Sequence, residues 1–245
     1  MARPIWAMMP ILLIALIVVI AGYAQSPPAV PGAVPEGMAA VPGGTFSMGC
    51  VRGDSSCNQM EKPRHQVNVK PFLMDAREVT QAQYEKVAGE NPSTLKNCPD
   101  CPVEGVTWNE AQSYCLKVGK KLPTEAEWEF AARGGKDGQI RYGDMEAISW
   151  YRGNSANKPH PVGLKAPNAY GLYDMLGNVG EWCSDWYGEY SSAAADNPTG
   201  PTSGATHVLR GGAFNLDPQS VRASYRDVPS AGQWYYPVGF RCVQR

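Results

Sequence analysis

The sequence predicts an α+β domain with few short helices, small antiparallel sheets and much ordered loop. Three helices are marked in the first half by capping boxes, each a threonine followed three residues later by glutamine or glutamate. Short alternating apolar and polar stretches precede them, and short apolar pieces separated by glycine, proline and asparagine follow. There is no βαβ rhythm, heptad or repeat of fixed period, so the pattern favours α+β over an alternating α/β fold.

Each predicted helix begins after the threonine of its capping box and ends before a glycine. The predicted ranges are 81–88, 108–118 and 125–133. In the third helix, Trp128 and Phe130 are expected to face the core.

Strands are predicted in GGTFSMG (43–49) and HQVNVKPFLMD (65–75), where apolar and polar residues alternate. Further short apolar pieces are HPVG (160–163), HVLRGGAF (207–214) and VGFRCV (238–243). Loops as long as those between them need ties such as disulfides or bound ions.

The composition indicates one folded domain, which we place at residues 38–245. The chain has 245 residues, 43% of them hydrophobic, which is enough to bury a substantial core. Lys and Arg number 22 against 23 Asp and Glu, for a net charge of −1. A nucleic-acid partner would need a concentrated basic face, so none is expected.

The first 24 residues predict a signal peptide or a membrane anchor. Their apolar part runs over residues 7–24, close to the minimum length of a spanning helix, while small residues before Gln25 suit cleavage after Ala24. Arg3 favours a cytoplasmic N-terminus under either alternative. The rest is then exported to the periplasmic or extracellular side, held at the inner membrane if the segment is retained. Residues 25–37 are a Pro-rich linker.

Seven cysteines in an exported domain should mostly be paired. Cys50 and Cys57 flank a turn-like stretch, and Cys98 and Cys101 form a CPDC unit, so each pair is close enough for a local disulfide. The CPDC unit could also be half of a zinc site, but the sequence has no second CxxC.

Many ordered motifs resemble those of the formylglycine-generating enzyme or sulfatase-modifying-factor family, whose fold is related to that of C-type lectins. The resemblance covers residues 38–243. It is carried by VPGGTFSMG (41–49), EVTQAQY (78–84), PVEGVTWNEAQSYC (102–115), KLPTEAEWEFAARGG (121–135), YGLYDMLGNVGEW (170–182), LRGGAF (209–214) and GFRCV (239–243).

The enzymes of this family oxidise a sulfatase cysteine to formylglycine, using oxygen and a copper ion held by two cysteine thiolates, the ligand type that selects Cu(I). Alignment on the RGG motif places Leu216 and Val221 at those two positions. The resemblance therefore implies the scaffold without the copper oxidase site, and no copper is expected.

Calcium is the ion that the resemblance implies. In family members, a side-chain oxygen, two main-chain carbonyls and a glutamate bind it, and here these match Asp174, Gly177, Val179 and Glu181. The alternative is that Asp174 caps the turn and Glu181 pairs with an arginine. Gly180 departs from the pattern, because a tryptophan is usual there.

The resemblance also implies a Cys115–Cys242 disulfide, between the second helix and the last strand. With the two local pairs, this leaves Cys183 as the odd cysteine. A buried inert thiol is favoured for it over a reactive one.

The first functional hypothesis is an exported binding or accessory domain whose partner is a protein or a membrane complex. Its surface would lie where the copper cysteines are missing. The candidate residues there are Phe214, Arg226, Asp227, Trp234, Tyr235 and Tyr236. The alternatives are an enzyme of different chemistry that matures an exported protein or a metabolite, and a variable ligand-binding protein of the type found in diversity-generating retroelements.

Overall fold

The computed structural model describes Met1, residues 33–229 and residues 237–245. Within those residues, ten short strands and four α-helices are joined by long loops, which confirms the α+β prediction. The helices are α1 (Gln81–Ala88), α2 (Trp108–Lys117), α3 (Glu125–Arg133) and α4 (Met145–Ile148). The strands are β1 (Met38–Val41), β2 (Gly44–Met48), β3 (His65–Val69), β4 (Phe72–Asp75), β5 (Gly180–Trp186), β6 (Ala195–Asp196), β7 (His207–Arg210), β8 (Arg226–Asp227), β9 (Val238–Gly239) and β10 (Val243–Gln244).

The strands form three small sheets. Antiparallel pairing joins β4 to β1 on one side and to β10 on the other, so the chain end lies beside the first strands. A second sheet has the order β2-β3-β6, with β6 parallel to β3. The third has the order β8-β7-β5-β9, with β9 parallel to β5 and the other pairs antiparallel.

The three predicted helices are present with their capping boxes. Each N-cap threonine accepts a hydrogen bond from the backbone N–H three residues on, and the side chain at that position reaches back to the N-cap backbone. Gly89 and Gly134 adopt the left-handed conformation that ends α1 and α3. The sequence did not predict α4. This helix has only four residues, and its N-cap Asp144 makes no side-chain capping bond.

The strand predictions are confirmed in part. The segments 43–49 and 65–75 contain β2, β3 and β4, but residues 160–163 form no strand. The sequence missed β5 because nearly all of its residues are buried, so no alternation marks it.

The core has two clusters of buried apolar side chains. The larger lies around α3 and includes Trp128 and Phe130, as predicted. The smaller packs α1 and α2 against β5, β7 and the C-terminal residues, and contains the Cys115–Cys242 disulfide. The predicted Cys50–Cys57 and Cys98–Cys101 disulfides are also formed.

The predicted signal or anchor, residues 1–24, lies outside the described part of the chain except for Met1, as do residues 25–32 of the predicted linker. None of the helices in residues 33–229 and 237–245 is long and apolar enough to cross a membrane.

Candidate functional site

The predicted calcium loop, residues 174–181, is folded tightly and leads into β5. Asp174 and Asn178 both have a φ of 53°, in the left-handed region. Gly177 has a φ of 85°, and a Cβ there would lie 2.2 Å from the carbonyl oxygen of Trp150. This glycine is therefore required by both its conformation and the close approach of the backbone.

Asp174 points its carboxylate into the protein and is 1% exposed. Its Oδ2 accepts a hydrogen bond of 2.6 Å from the Gly163 N–H, whereas its buried Oδ1 has no partner among the described residues. Burial raises the pKa of Asp174 above its ordinary value. An unpartnered buried oxygen of this kind suits a cation ligand.

Glu181, on β5, is paired with an arginine. The guanidinium of Arg241 donates to both carboxylate oxygens at 2.7–3.0 Å, and the indole N–H of Trp128 donates to Oε2 at 2.8 Å. The alternative interpretation of Glu181 as an arginine partner is therefore realised. Each of its oxygens accepts two of these hydrogen bonds, so a cation bound by Glu181 would share an oxygen with Arg241 or Trp128.

Glu78 is a third buried carboxylate beside this loop, and the sequence analysis gave it no role. It accepts hydrogen bonds from the Val179 N–H at 3.1 Å and from the Asn178 side chain at 2.6 Å. Burial and the charges of Asp174 and Glu181 raise its pKa well above the ordinary value. Its place in the EVTQAQY motif, just before α1, was the only available signal.

We call Glu78, Asp174, Glu181 and Arg241 the acid-rich cluster. Three buried carboxylates share one buried guanidinium, so a divalent cation would complete the charge balance. The described residues contain no group of three or more His, Cys, Asp or Glu side chains arranged to hold a metal. The predicted calcium set needs only two carboxylates and two carbonyls, and Asp174 Oδ1 fits it. Calcium would supply positive charge and tie the loop.

A second buried set of charges surrounds α3, and we call it the paired cluster. Each of its carboxylates pairs with an arginine. Its members are Asp54, Glu61, Glu125, Glu129, Arg133, Arg210, Arg222 and Arg226. Burial alone would raise the pKa of Glu61, yet the hydrogen bonds and charge of Arg222 hold it below its ordinary value.

Two residues of the predicted binding surface are not on the surface. Phe214 is 0% and Arg226 1% exposed, because Phe214 lies in the interior and Arg226 is bonded to Glu125 at 2.6 and 2.8 Å. Asp227 is half-buried, and burial raises its pKa. The remaining predicted residues, Trp234, Tyr235 and Tyr236, lie outside the described residues.

The two positions matched to the copper cysteines hold apolar side chains in ordinary packing. Val221 is 0% exposed and belongs to the larger core cluster. Leu216 is half-buried, and its carbonyl accepts the Arg152 N–H at 3.0 Å. Six of the seven cysteines are in disulfides, and Cys183 is free and buried, with a pKa raised well above the ordinary value by burial. No pair of thiolates is available for copper.

A family model described as a sulfatase-modifying factor enzyme 1-like domain matches residues 24–245. The chain belongs to this family. A formylglycine-generating enzyme of Thermomonospora curvata is 31% identical over 296 residues, covering 87% of this chain and 95% of the relative. A mouse relative named inactive C-alpha-formylglycine-generating enzyme 2 is 33% identical over 200 residues, covering 74% of this chain and 60% of the relative.

The chain is also similar to part of a larger protein. The serine/threonine-protein kinase pkn1 of Chlamydia pneumoniae is 35% identical over 237 residues, covering 84% of this chain and 38% of the kinase. The chain thus spans less than two fifths of that relative's length. Among solved structures, Treponema denticola variable protein 1 matches with a TM-score of 0.75 and 28% identity, over 85% of this chain and 94% of that protein.

Proposed function

We propose that this chain is an exported sulfatase-modifying-factor-like domain that works as a binding or accessory module, is stabilised by calcium and has no copper oxidase activity. Its partner would be a protein or a membrane complex. Relatives named as active and as inactive enzymes are similar to it to almost the same degree, so overall similarity does not decide the activity. The site has to decide it.

The observation that carries the proposal is the loss of sulfur at both copper positions. Leu216 and Val221 cannot ligate a metal, and Cys183 is buried on β5 with no free cysteine to join it. Because Cu(I) in this family is held by a pair of thiolates, one buried thiol cannot replace the pair.

Calcium is supported by the shortage of positive charge around the loop. Among the described residues, Asp174 Oδ1 is buried without a hydrogen-bond partner, and within the acid-rich cluster Arg241 is paired with Glu181. An ion held by Asp174, Glu181 and the carbonyls of Gly177 and Val179 would fix the segment that enters β5.

Export is supported by the three disulfides, which form and persist in oxidising compartments. The surface near Asp227 remains the candidate for partner contact, since it follows the segment in which the copper cysteines are missing. The similarity to Treponema denticola variable protein 1 favours a variable ligand-binding protein as the second candidate.

The proposal is tested by assaying this chain for oxidase activity with copper, oxygen and a peptide substrate all supplied. The 245-residue chain is loaded with Cu(I) and incubated with oxygen and a sulfatase-derived peptide that contains the target cysteine. The Thermomonospora curvata enzyme is the positive control. We expect no formylglycine by mass spectrometry, and no Cu(I) retained against a competing chelator beyond that of the Cys183→Ser variant. Turnover of the peptide would overturn the non-oxidase assignment.

A further inference from the structure

A cavity of about 390 Å³ lies on a different part of the molecule from the calcium loop and the copper positions. It is bounded by the start of α3, the end of β5 and residues 188–201. None of the predicted calcium ligands lines it, and of the described residues of the predicted binding surface only Arg226 does. Its volume is in the range of small-molecule sites.

The charge of the cavity wall is negative after internal pairs are counted. Arg226 lines the wall, but its guanidinium forms two hydrogen bonds to Glu125 and a third to the Gly188 carbonyl at 3.1 Å. The Tyr190 hydroxyl also donates to Glu125, at 3.0 Å. The Arg226–Glu125 ion pair therefore offers no net charge to a ligand. Asp185 and the exposed Glu189 are the carboxylates of the lining that have no arginine or lysine partner among the described residues.

Asp185 is a buried carboxylate at the cavity wall. It is 4% exposed and lines the cavity. Its Oδ2 accepts the Glu125 N–H at 2.9 Å and the Ser184 hydroxyl at 3.0 Å, so the carboxylate is held in place. Its Oδ1 makes no hydrogen bond to any described residue and lies 3.2 Å from where a Cβ on Gly200 would be. Oδ1 is not among the described buried atoms that lack a partner, so this oxygen is open to the cavity and can accept from a donor that enters it.

The cavity also has a rigid aromatic and apolar side. The ring of Trp186 lines it and stacks on His207 with centroids 3.8 Å apart, and Trp108 stacks on the other face of His207 at 3.6 Å. Met48 and Ala126 add apolar surface. An indole ring beside a carboxylate attracts a cation and accepts an alkyl chain.

We propose that this cavity binds an alkylammonium group, of the kind carried by a lysine side chain, with the ammonium donating to Asp185 and the alkyl chain lying against Trp186. The free oxygen of Asp185 supplies the acceptor, and the unmatched negative charge selects a cation over an anion. The cavity gives the domain a second ligand site that stands independently of the proposed function.

The protonation of Asp185 is consistent with this ligand. Burial raises its pKa to about 7, with Glu125 as a further cause. The titratable and charged groups that face it from α3, β3, β7, β8, the 188–201 segment and the C-terminal residues are Glu125, Glu127, His65, His207, Arg226, Glu189, Tyr190 and Arg245. A bound ammonium favours the ionised carboxylate, so binding releases protons and strengthens as the pH rises through about 7.

The experiment titrates the 245-residue chain with three probes and follows the Trp186 indole N–H by NMR, assigned through the Trp186→Phe variant. The probes are Nα-acetyl-lysine N-methylamide, its uncharged norleucine analogue and n-pentylammonium chloride. We expect saturable shifts with the two ammonium probes and none with norleucine. Tighter binding of the lysine probe than of n-pentylammonium would point to a polypeptide ligand, and the reverse order to a free amine.

Two variants decide whether Asp185 is the ligand. Asp185→Asn keeps the shape and should weaken the lysine probe at least tenfold, whereas the exposed Glu85→Gln on α1 should leave its affinity unchanged. Ala193→Trp fills the cavity from its exposed side and should abolish binding if Asp185→Asn fails to fold. The proposal is overturned if norleucine binds equally, if no probe saturates, or if both folded variants bind like the original chain.

Discussion

The paired cluster and the acid-rich cluster are both buried, yet they balance their charges differently. Around α3, four carboxylates meet four arginines, and each carboxylate has an arginine partner within 3 Å. Around the loop at 174–181, three carboxylates lie near Arg241, which is paired with Glu181, and Asp174 Oδ1 has no hydrogen-bond partner among the described residues. The first cluster is balanced by its own arginines, whereas the proposed calcium ion would add positive charge to the second.

We expect the paired cluster to stabilise the fold by itself and the acid-rich cluster to depend on a bound ion. The paired cluster ties the Cys50–Cys57 loop to the C-terminal segment, since Arg222 contacts Asp54 and Glu61 at 2.9 and 2.7 Å. The acid-rich cluster instead holds the loop where the family resemblance places calcium. Substitutions of the same chemical type should therefore have different effects in the two places.

The largest expected difference is between Glu129→Gln and Glu78→Gln, measured by urea unfolding in calcium-free buffer. Glu129 is 0% exposed and pairs with Arg133 and Arg210, so its loss leaves buried guanidiniums uncompensated and should cost about 3–5 kcal/mol of unfolding free energy. Glu78→Gln loses one hydrogen bond but relieves repulsion, and should cost less than about 1 kcal/mol.

The exposed Glu85→Gln is the control for this pair and should stay within about 0.5 kcal/mol of the original chain. Equal destabilisation by Glu129→Gln and Glu78→Gln would remove the distinction between the two clusters.

A smaller effect is expected from two glycines of the acid-rich cluster's loop. Gly177→Ala places a Cβ 2.2 Å from the Trp150 carbonyl oxygen at a φ of 85°, and should cost about 1–3 kcal/mol or more. A Cβ at Gly180, on β5, comes no closer than 3.7 Å to any atom of the described residues, so Gly180→Ala should be neutral or stabilise by about 0.5–1 kcal/mol. Thermal melting of both variants checks this, and a neutral Gly177→Ala would show that the loop is not held as described.

Asp185 offers a pH test, because it borders the paired cluster without an arginine of its own. Its pKa is raised from 3.8 to about 7, so the folded state binds its proton more tightly than the unfolded state does. Stability from this group is present below pH 3.8 and is lost as the pH rises towards about 7, by at most about 1.4 kcal/mol per pH unit.

Asp185→Asn should flatten the dependence of the unfolding free energy on pH in that window. An unchanged slope in Asp185→Asn would contradict the raised pKa.

The sequence predicted what depends on local chemistry and on family motifs. Capping boxes placed α1, α2 and α3, cysteine spacing indicated the two local disulfides, and the family resemblance implied the third. It could not predict the pairing of Glu181 with Arg241, which are 60 residues apart. The sequence also could not predict that Phe214 and Arg226 are buried, because aromatic and charged side chains occur both in cores and on binding surfaces.

Glu78 and the cavity at Asp185 were missed for a related reason. Glu78 accepts a hydrogen bond from the N–H of Val179, which is 101 residues away in sequence. Asp185 accepts one from the N–H of Glu125, which is 60 residues away. Only the folded chain brings these groups together. Single acids in a sequence give no signal of such contacts.

The most direct test of the central claim is thermal melting with calcium and with a chelator, in the original chain and in Asp174→Ala. Calcium at about one hundred times its Kd adds about 2.7 kcal/mol to the folded state, which corresponds to roughly 5–10 °C for a chain of this size. We predict such a rise in the original chain and none in Asp174→Ala. A melting midpoint that calcium leaves unchanged in the original chain would contradict the account.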